Sequence, residues 1–357
     1  MLKRNLIVIL LLVLSYRAFP QEGVVVSTYL KGEKITDLAK DKDGIWISTE
    51  GNGVYKLLVK EERFKNYSTR NKKLSNDLIF SIAVSKKYVF AGSIDGLFIY
   101  DKKRRRWAKR KFGKGGQLGN YIRDIEYDEA NNAVWIGRFQ YLTKFDVRKR
   151  RFRDYDLTVN GNNKTNSITT VKKDFENNLW CGTEAGLTKI DLNADSQNLS
   201  SREFFDNSLN YFPKAGKTVS VSSLLFERNY VWIGCGEFVT PRNPDYSRGG
   251  LYRYDLQIDW LRFDKENGLP ANGVSALERV GNFIFAAVYQ FGENTKKEYG
   301  RGIAVINRIT NEIFTITEEK LSGKINALLF DGKNLWAGGD EGLMKIKIVN
   351  VLLNWSE

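Results

Sequence analysis

Leu179-Trp180-Cys181-Gly182-Thr183-Glu184-Ala185-Gly186-Leu187 is the stretch that decides how the chain is read. It runs apolar residue, aromatic, small or apolar pair, short polar loop, then a glycine that opens another apolar run. The phrase recurs at Ile45-Trp46-Ile47-Ser48, Val89-Phe90-Ala91-Gly92, Val134-Trp135-Ile136-Gly137, Val231-Trp232-Ile233-Gly234, Ile284-Phe285-Ala286-Ala287 and Leu335-Trp336-Ala337-Gly338, making seven copies. Successive anchor aromatics lie 44, 45, 45, 52, 53 and 51 residues apart. A fixed period of this size means a repeat architecture.

Each copy reads as four short strands. Around Trp180, Ser167 to Val171 alternates, Asn177-Asn178 turns, Leu179 to Gly182 and Gly186 to Asp191 follow, and the more polar Arg202 to Phe205 closes the unit. Alternating strands between Gly, Asn and Asp turns form antiparallel meanders. One meander cannot bury both of its faces, but seven in a ring can. The expected fold is therefore all-β, a seven-bladed β-propeller of four-stranded antiparallel blades. Acids cluster before the anchors, as in Asp41-Lys42-Asp43-Gly44 and Asp331-Gly332-Lys333-Asn334. They recur with the hairpin and lack EF-hand spacing, so they read as turn chemistry rather than a calcium site. The ring needs a seventh outer strand, and either Val24 to Tyr29 or Val349 to Trp355 fits that place.

Composition agrees with one globular domain: 357 residues, 42% hydrophobic, 13% aromatic, and five prolines with no linker tract. Residues 1–21 have the plan of a signal peptide, with a basic Met1 to Arg4, an apolar Leu6 to Leu14 and a polar end. That run is shorter than the about 20 residues a membrane span requires. Residues 22–357 are then a single exported domain, periplasmic or secreted, with no further spanning run and expected to be a monomer. The formal charge of +14 becomes +11 once Lys3, Arg4 and Arg17 of the leader are subtracted, which favours acidic partners without naming one.

The repeat from Ile168 to Asp191, with its Asn-rich turn, Leu-Trp-Cys-Gly-Thr, short acidic loop, Gly-Leu and Asp, resembles the two-component regulator propeller repeat. Repeats one, four and seven match best. Repeats five and six carry long insertions, and Arg138 replaces the usual Thr in repeat three. The resemblance implies a propeller like the periplasmic sensor regions of hybrid two-component systems, or a stand-alone exported one. Ending at Glu357, the chain is expected to act without a kinase or DNA-binding output module.

In propellers the second-to-third loops and the blade-to-blade connections share one face around the channel mouth, and loops on a rigid ring carry function. That face nominates Glu50, Asp95, Arg138, Glu184 and Asp340. It also nominates the insertions Gly236 to Arg248, with Glu237, Arg242, Tyr246 and Arg248, and Tyr289 to Arg301, with Tyr289, Tyr299 and Arg301. Aromatic rings beside mixed charges suit a polar small molecule, a glycan or a protein partner. The alternative is neutral surface decoration.

Two basic runs stand apart. Arg104, Arg105, Arg106, Lys109 and Arg110 in blade two, with Arg150 and Arg151 in blade three, fall at the third-to-fourth turns and outer strands. They form either a polyanion patch on blades two and three or protection of exposed sheet edges. Trp107 between them is expected to pack inward.

The chain has no histidine, which removes the commonest general base and the Ser-His-Asp, Cys-His and usual zinc arrangements. No catalytic residue, metal or cofactor is assigned. A carbohydrate-active enzyme, hydrolase or lyase, using acids and tyrosines of the channel face is the competing reading. Cys181 and Cys235 lie one and three residues after their anchors. Their equal parity sends both side chains the same way around the ring, so they are expected to stay unpaired.

Overall fold

In the computed structural model of the protein, residues 24–348 are described, apart from 115, 210, 318 and 320. Their strands form seven four-stranded antiparallel sheets, six of them running in chain order from the inner to the outer strand. Blade four is Ile168–Lys173, Asn178–Thr183, Gly186–Asp191 and Arg202–Phe205. Blade seven is Ile325–Phe330, Leu335–Gly339 and Gly342–Ile348, and Val24–Tyr29 takes its outer place. The first and last of the described strands lie antiparallel, Val24 opposite Ile348 and Tyr29 opposite Leu343. The amino-terminal segment therefore closes the ring. The other candidate, Val349 to Trp355, and the leader both lie outside the described residues.

The second strands form the core. All six residues of Asn178–Thr183 are buried, as are those of Gly44–Thr49 and Ala133–Arg138. No anchor aromatic is more than 2% exposed. Each anchor that is a tryptophan packs on the sheet beside it: Trp180 on Val221 and Leu224, Trp232 on Val274, and Trp336 on Ile35 and Leu38. The ring is held by this apolar burial between sheets.

The acids before the anchors do more than turn the chain. Asp331 Oδ1 accepts the Lys333 and Asn334 amides, while its Oδ2 accepts the Trp336 indole N–H at 2.7 Å. Asp41 holds Trp46 and Asp174 holds Trp180 in the same way, at 2.9 and 2.8 Å. A buried indole N–H needs such an acceptor, which is why blades one, four and seven keep the most regular repeat. In blade three, Asp128 instead pairs with Lys173 at 2.8 Å, and the Trp135 indole has no partner among the described residues.

Both cysteines are buried and free, as their parity requires. Burial pushes both thiols well above the ordinary range.

Candidate functional site

Every inner strand carries a bulge near its start, after the first residue in six blades and after the second in blade six, so one residue per blade leaves the ladder: Thr36, Phe80, Arg123, Thr169, Ser222, Ser275 and Asn326. A bulge re-aims the extra side chain, here toward the channel mouth and the neighbouring blade. Thr36 Oγ1 donates to Ile79 O at 2.7 Å, Ser275 Oγ to Ile325 O at 2.6 Å, and Asn326 Nδ2 to Ile35 O at 3.0 Å. Thr169 donates likewise to Val221 O, and Ser222 to Val274 O. Five blades are thus laced to the next by one small polar side chain each.

Blades two and three depart from this small polar lacing. The Phe80 ring lies 4.8 Å from Tyr121, which stacks on Phe139 at 6.2 Å. Arg123 sits 6.0 Å over Phe139 and donates to Glu184 Oε1 at 2.7 Å and Ser167 Oγ at 3.1 Å. The mouth is a cavity of about 560 Å³ in which this aromatic notch faces the charges of blades one, six and seven. There Lys34 pairs with Glu50 at 2.7 Å, Lys324 with Glu298 at 2.5 Å, and Asn326 Nδ2 donates to Asp340 at 3.0 Å. The Glu50 contact holds Lys34 above its ordinary range, and burial pushes the Tyr121 phenol up.

Below the mouth the channel wall carries Asp37, Asp124, Lys172 and Glu278, with Glu126 3.6 Å from Lys172. Asp37 accepts its neighbour Leu38 N and, from the next blade, Ile82 N at 2.8 Å. Asp124 does the same with Ile125 N and Val171 N, also from the next blade. Part of Asp37 faces the channel, yet desolvation and then Asp124 push it up to about 7 against the pull of Lys172. Burial also pushes Glu126 and Glu278 up.

Of the nominated residues, Glu50 and Asp340 line the mouth, and Glu184 holds Arg123 there. Arg138 does not reach the surface. It is fully buried, paired with Asp154 at 2.7 Å and bonded to Lys114 O and Gly119 O. The guanidinium replaces the hydroxyl that in blade four ties the same loop through Thr183 to Gly186 O. Asp95 is held by Lys109 and Lys111 at 2.5 and 2.7 Å, which keeps its carboxyl below the usual range.

The insertions expected as loops are instead extended hairpins, Val231–Thr240 with Asn243–Tyr254 and Phe283–Gly292 with Lys297–Asn307. They pack together through Phe238 and Phe291 at 4.7 Å, with Glu237 N donating to Tyr289 Oη and Phe291 N to Glu237 Oε2. Glu237 and Tyr289 are thus consumed by this wall, and burial pushes both up. Arg242 stands in the tip, Tyr246 accepts from Lys164, Arg248 pairs with Asp245, and Arg301 donates to Gln290. Tyr299 is 42% exposed on the outer wall.

Strand alternation splits the basic runs. Arg106 and Arg110 join Arg104 and Arg150 around a slot between blades two and three. Arg105 lines a different cavity, against blade one, and Lys109 faces Asp95. Arg151 is exposed at the start of blade three's outer strand. Trp107 packs inward on Tyr100 at 5.0 Å and Tyr67 at 5.8 Å.

Sequence reasoning missed Lys34, Phe80, Tyr121, Arg123, Glu298 and Lys324. A signal was present: the inner strands open Ile-Thr, Ile-Phe, Ile-Arg, Ile-Thr, Val-Ser, Val-Ser and Ile-Asn, and the two that depart from a small polar residue mark the notch.

Residues 29–51 match the family model described as two component regulator propeller. That one stretch of the propeller carries the two component regulator pattern. This propeller shares its fold with the extracellular domain of BT4673 from B. thetaiotaomicron, described as a one component system and, in a second structure, as a hybrid two component system. Identity is 17% in both, with TM-scores of 0.67 and 0.66 over 92% and 90% of this chain. The chain spans only 40% and 39% of those two structures. Virginiamycin B lyase from Staphylococcus aureus shares the fold at 12% identity and TM-score 0.65, over 91% of this chain and 99% of that one. Among curated proteins, none matches this chain by sequence. Among the described residues no helix is long and apolar enough to cross a membrane.

Proposed function

We propose that this propeller is an exported binding module of sensor type, and that it takes a polar ligand at the channel mouth between blades two and three. One observation carries the reading: the small polar side chain that laces the other blades is replaced at Phe80 by an aromatic ring and at Arg123 by a guanidinium tied to Glu184 and Ser167 of blade four, and both line a cavity of about 560 Å³. Lacing alone is served by a Thr, Ser or Asn in the other five blades, whereas recognition of a small polar molecule, a glycan or a protein loop uses a ring and a cation. The mixed charge opposite, Lys34 with Glu50 and Lys324 with Glu298, supplies orienting hydrogen bonds. The leader and the likeness to extracellular sensor domains support an exported location.

At the mouth itself the arrangement supports binding over hydrolysis. A glycosidase needs two carboxylates, one of them kept protonated as the general acid. Glu50, Glu184 and Glu298 are each paired with a cation, and Asp340 is bound by an amide.

The test is a panel of neutral and acidic glycans, peptides and amino acids, titrated into the mature domain by calorimetry with product analysis. A saturable ligand whose affinity falls about fivefold or more in Tyr121→Ala and Glu50→Gln is expected, since removed stacking and charged hydrogen bonds each contribute about 1 kcal/mol or more. Binding untouched by both variants, or new reducing or unsaturated ends, would sink it.

A further inference from the structure

The outer strand of blade two, Arg106–Arg110, ends its sheet and pairs on one side only, with Gly96–Asp101. Its far edge makes no backbone hydrogen bond among the described residues. Alternation sends Trp107 and Lys109 to one side and Arg106, Ala108 and Arg110 to the other. The latter three border a slot of about 180 Å³ whose floor is apolar: Ile99 beneath Ala108, then Phe145 and Val147 from blade three. Ala108 is exposed, and no larger side chain fills the place above that floor.

The charges around the slot are unspent. Arg106 and Arg150 have no ion-pair partner among the described residues. Arg110 donates to the Lys109 carbonyl at 3.1 Å, and Arg104 meets Asp101 at only 3.9 Å. Edge protection alone would be served by flexible lysines. It explains neither the arginine forks, whose planar donors match carboxylates, nor a central alanine over a greasy floor. A uniformly charged polymer would leave that floor unused.

We propose that blade two captures an extended acidic peptide of a partner protein as a fifth strand. Side chains at alternate positions of an added strand face the same way. The matching sequence is acid, any, apolar, any, acid: carboxylates opposite Arg106 and Arg110, the apolar residue over Ala108 in the slot. Directly opposed charges across a strand pair stabilise it, and the strand's own amides supply the remaining bonds. The site stands on the outer rim, independent of the channel mouth.

Two labelled peptides of equal composition test this by fluorescence anisotropy on the mature domain, one with the core Glu-Thr-Ile-Thr-Glu and one with Glu-Glu-Ile-Thr-Thr. The first binds saturably, at least about tenfold tighter than the second, because only it places both acids and the apolar group on one face. Backbone N-methylation of the first peptide abolishes binding, and the double reversal R106E/R110E weakens it by a similar factor, while Tyr121→Ala leaves it unchanged. Equal binding of the two peptides would reduce the surface to an unspecific cation patch and overturn the proposal, as would full affinity in R106E/R110E or no saturable binding. The peptide comparison needs only the wild-type protein, so it decides even if the double variant fails to fold.

Discussion

Asp37 shows how a single side chain joins two blades and places a titrating group in the channel wall. Its carboxylate bonds Leu38 N in its own strand and Ile82 N in the next blade. Desolvation first, then Asp124, push it up to about 7, and Lys172 pulls the other way. An unfolded aspartate titrates near about 3.9. Between those values only the folded protein holds the proton, so this group's contribution falls as pH rises through that window. Glu126 and Glu278 act with the same sign. Asp37→Asn keeps an acceptor for Ile82 but cannot titrate. We expect its melting temperature to vary less between pH 5 and 7.5 than that of the wild type, in a series of thermal melts; parallel curves would count against the assignment. None of this could be read from the sequence, because Asp37 and Asp124 stand 87 residues apart and only the closed ring brings their charges together.

At the scale of the strand, the glycine after the anchor explains how tightly the sheets meet. A Cβ on Gly182 would lie 2.6 Å from Thr170 Cγ2 and 2.7 Å from Val221 Cγ1 of the next blade. Gly137 meets Ile168, Gly234 meets Val274 and Gly338 meets Ile35 in the same way, each time the residue just before the bulge of the neighbouring inner strand. Gly182→Ala should therefore cost about 1–3 kcal/mol, the range for overpacking a filled interior, read as a lower midpoint in urea. A neutral result would mean that the blades part more easily than this contact implies. The anchors, hairpins and blade count were legible because each is a local pattern repeated seven times. The bulges were not, since one extra residue changes which side chain faces the channel without changing composition or spacing. Arg138 sits at a loop position that reads as surface, and only the fold reveals Asp154 beside it. The insertions of blades five and six carry polar residues on both faces of their strands, so alternation did not distinguish hairpin from loop.

For the whole molecule, closure by the amino-terminal strand is the decisive contact. Val24–Tyr29 covers the outer edge of Gly342–Ile348, and Tyr29 packs at 6.0 Å on the Trp336 ring. A variant without residues 24–29 leaves blade seven with three strands and loses several kcal/mol of burial and pairing. At roughly 2 °C per kcal/mol for a domain of this size, its melting temperature should fall by about 10 °C, with unfolding spread over a wider range. An unchanged melt would mean that another segment closes the ring. The same contact also dictates the order of events as the protein is made. The strand that emerges first from the ribosome must wait for its partner until almost all of the chain has been synthesised, so the circle cannot lock during translation. Blades one to six, built of consecutive strands, can pair before then, and the ring becomes rigid only when its last described strand meets the first.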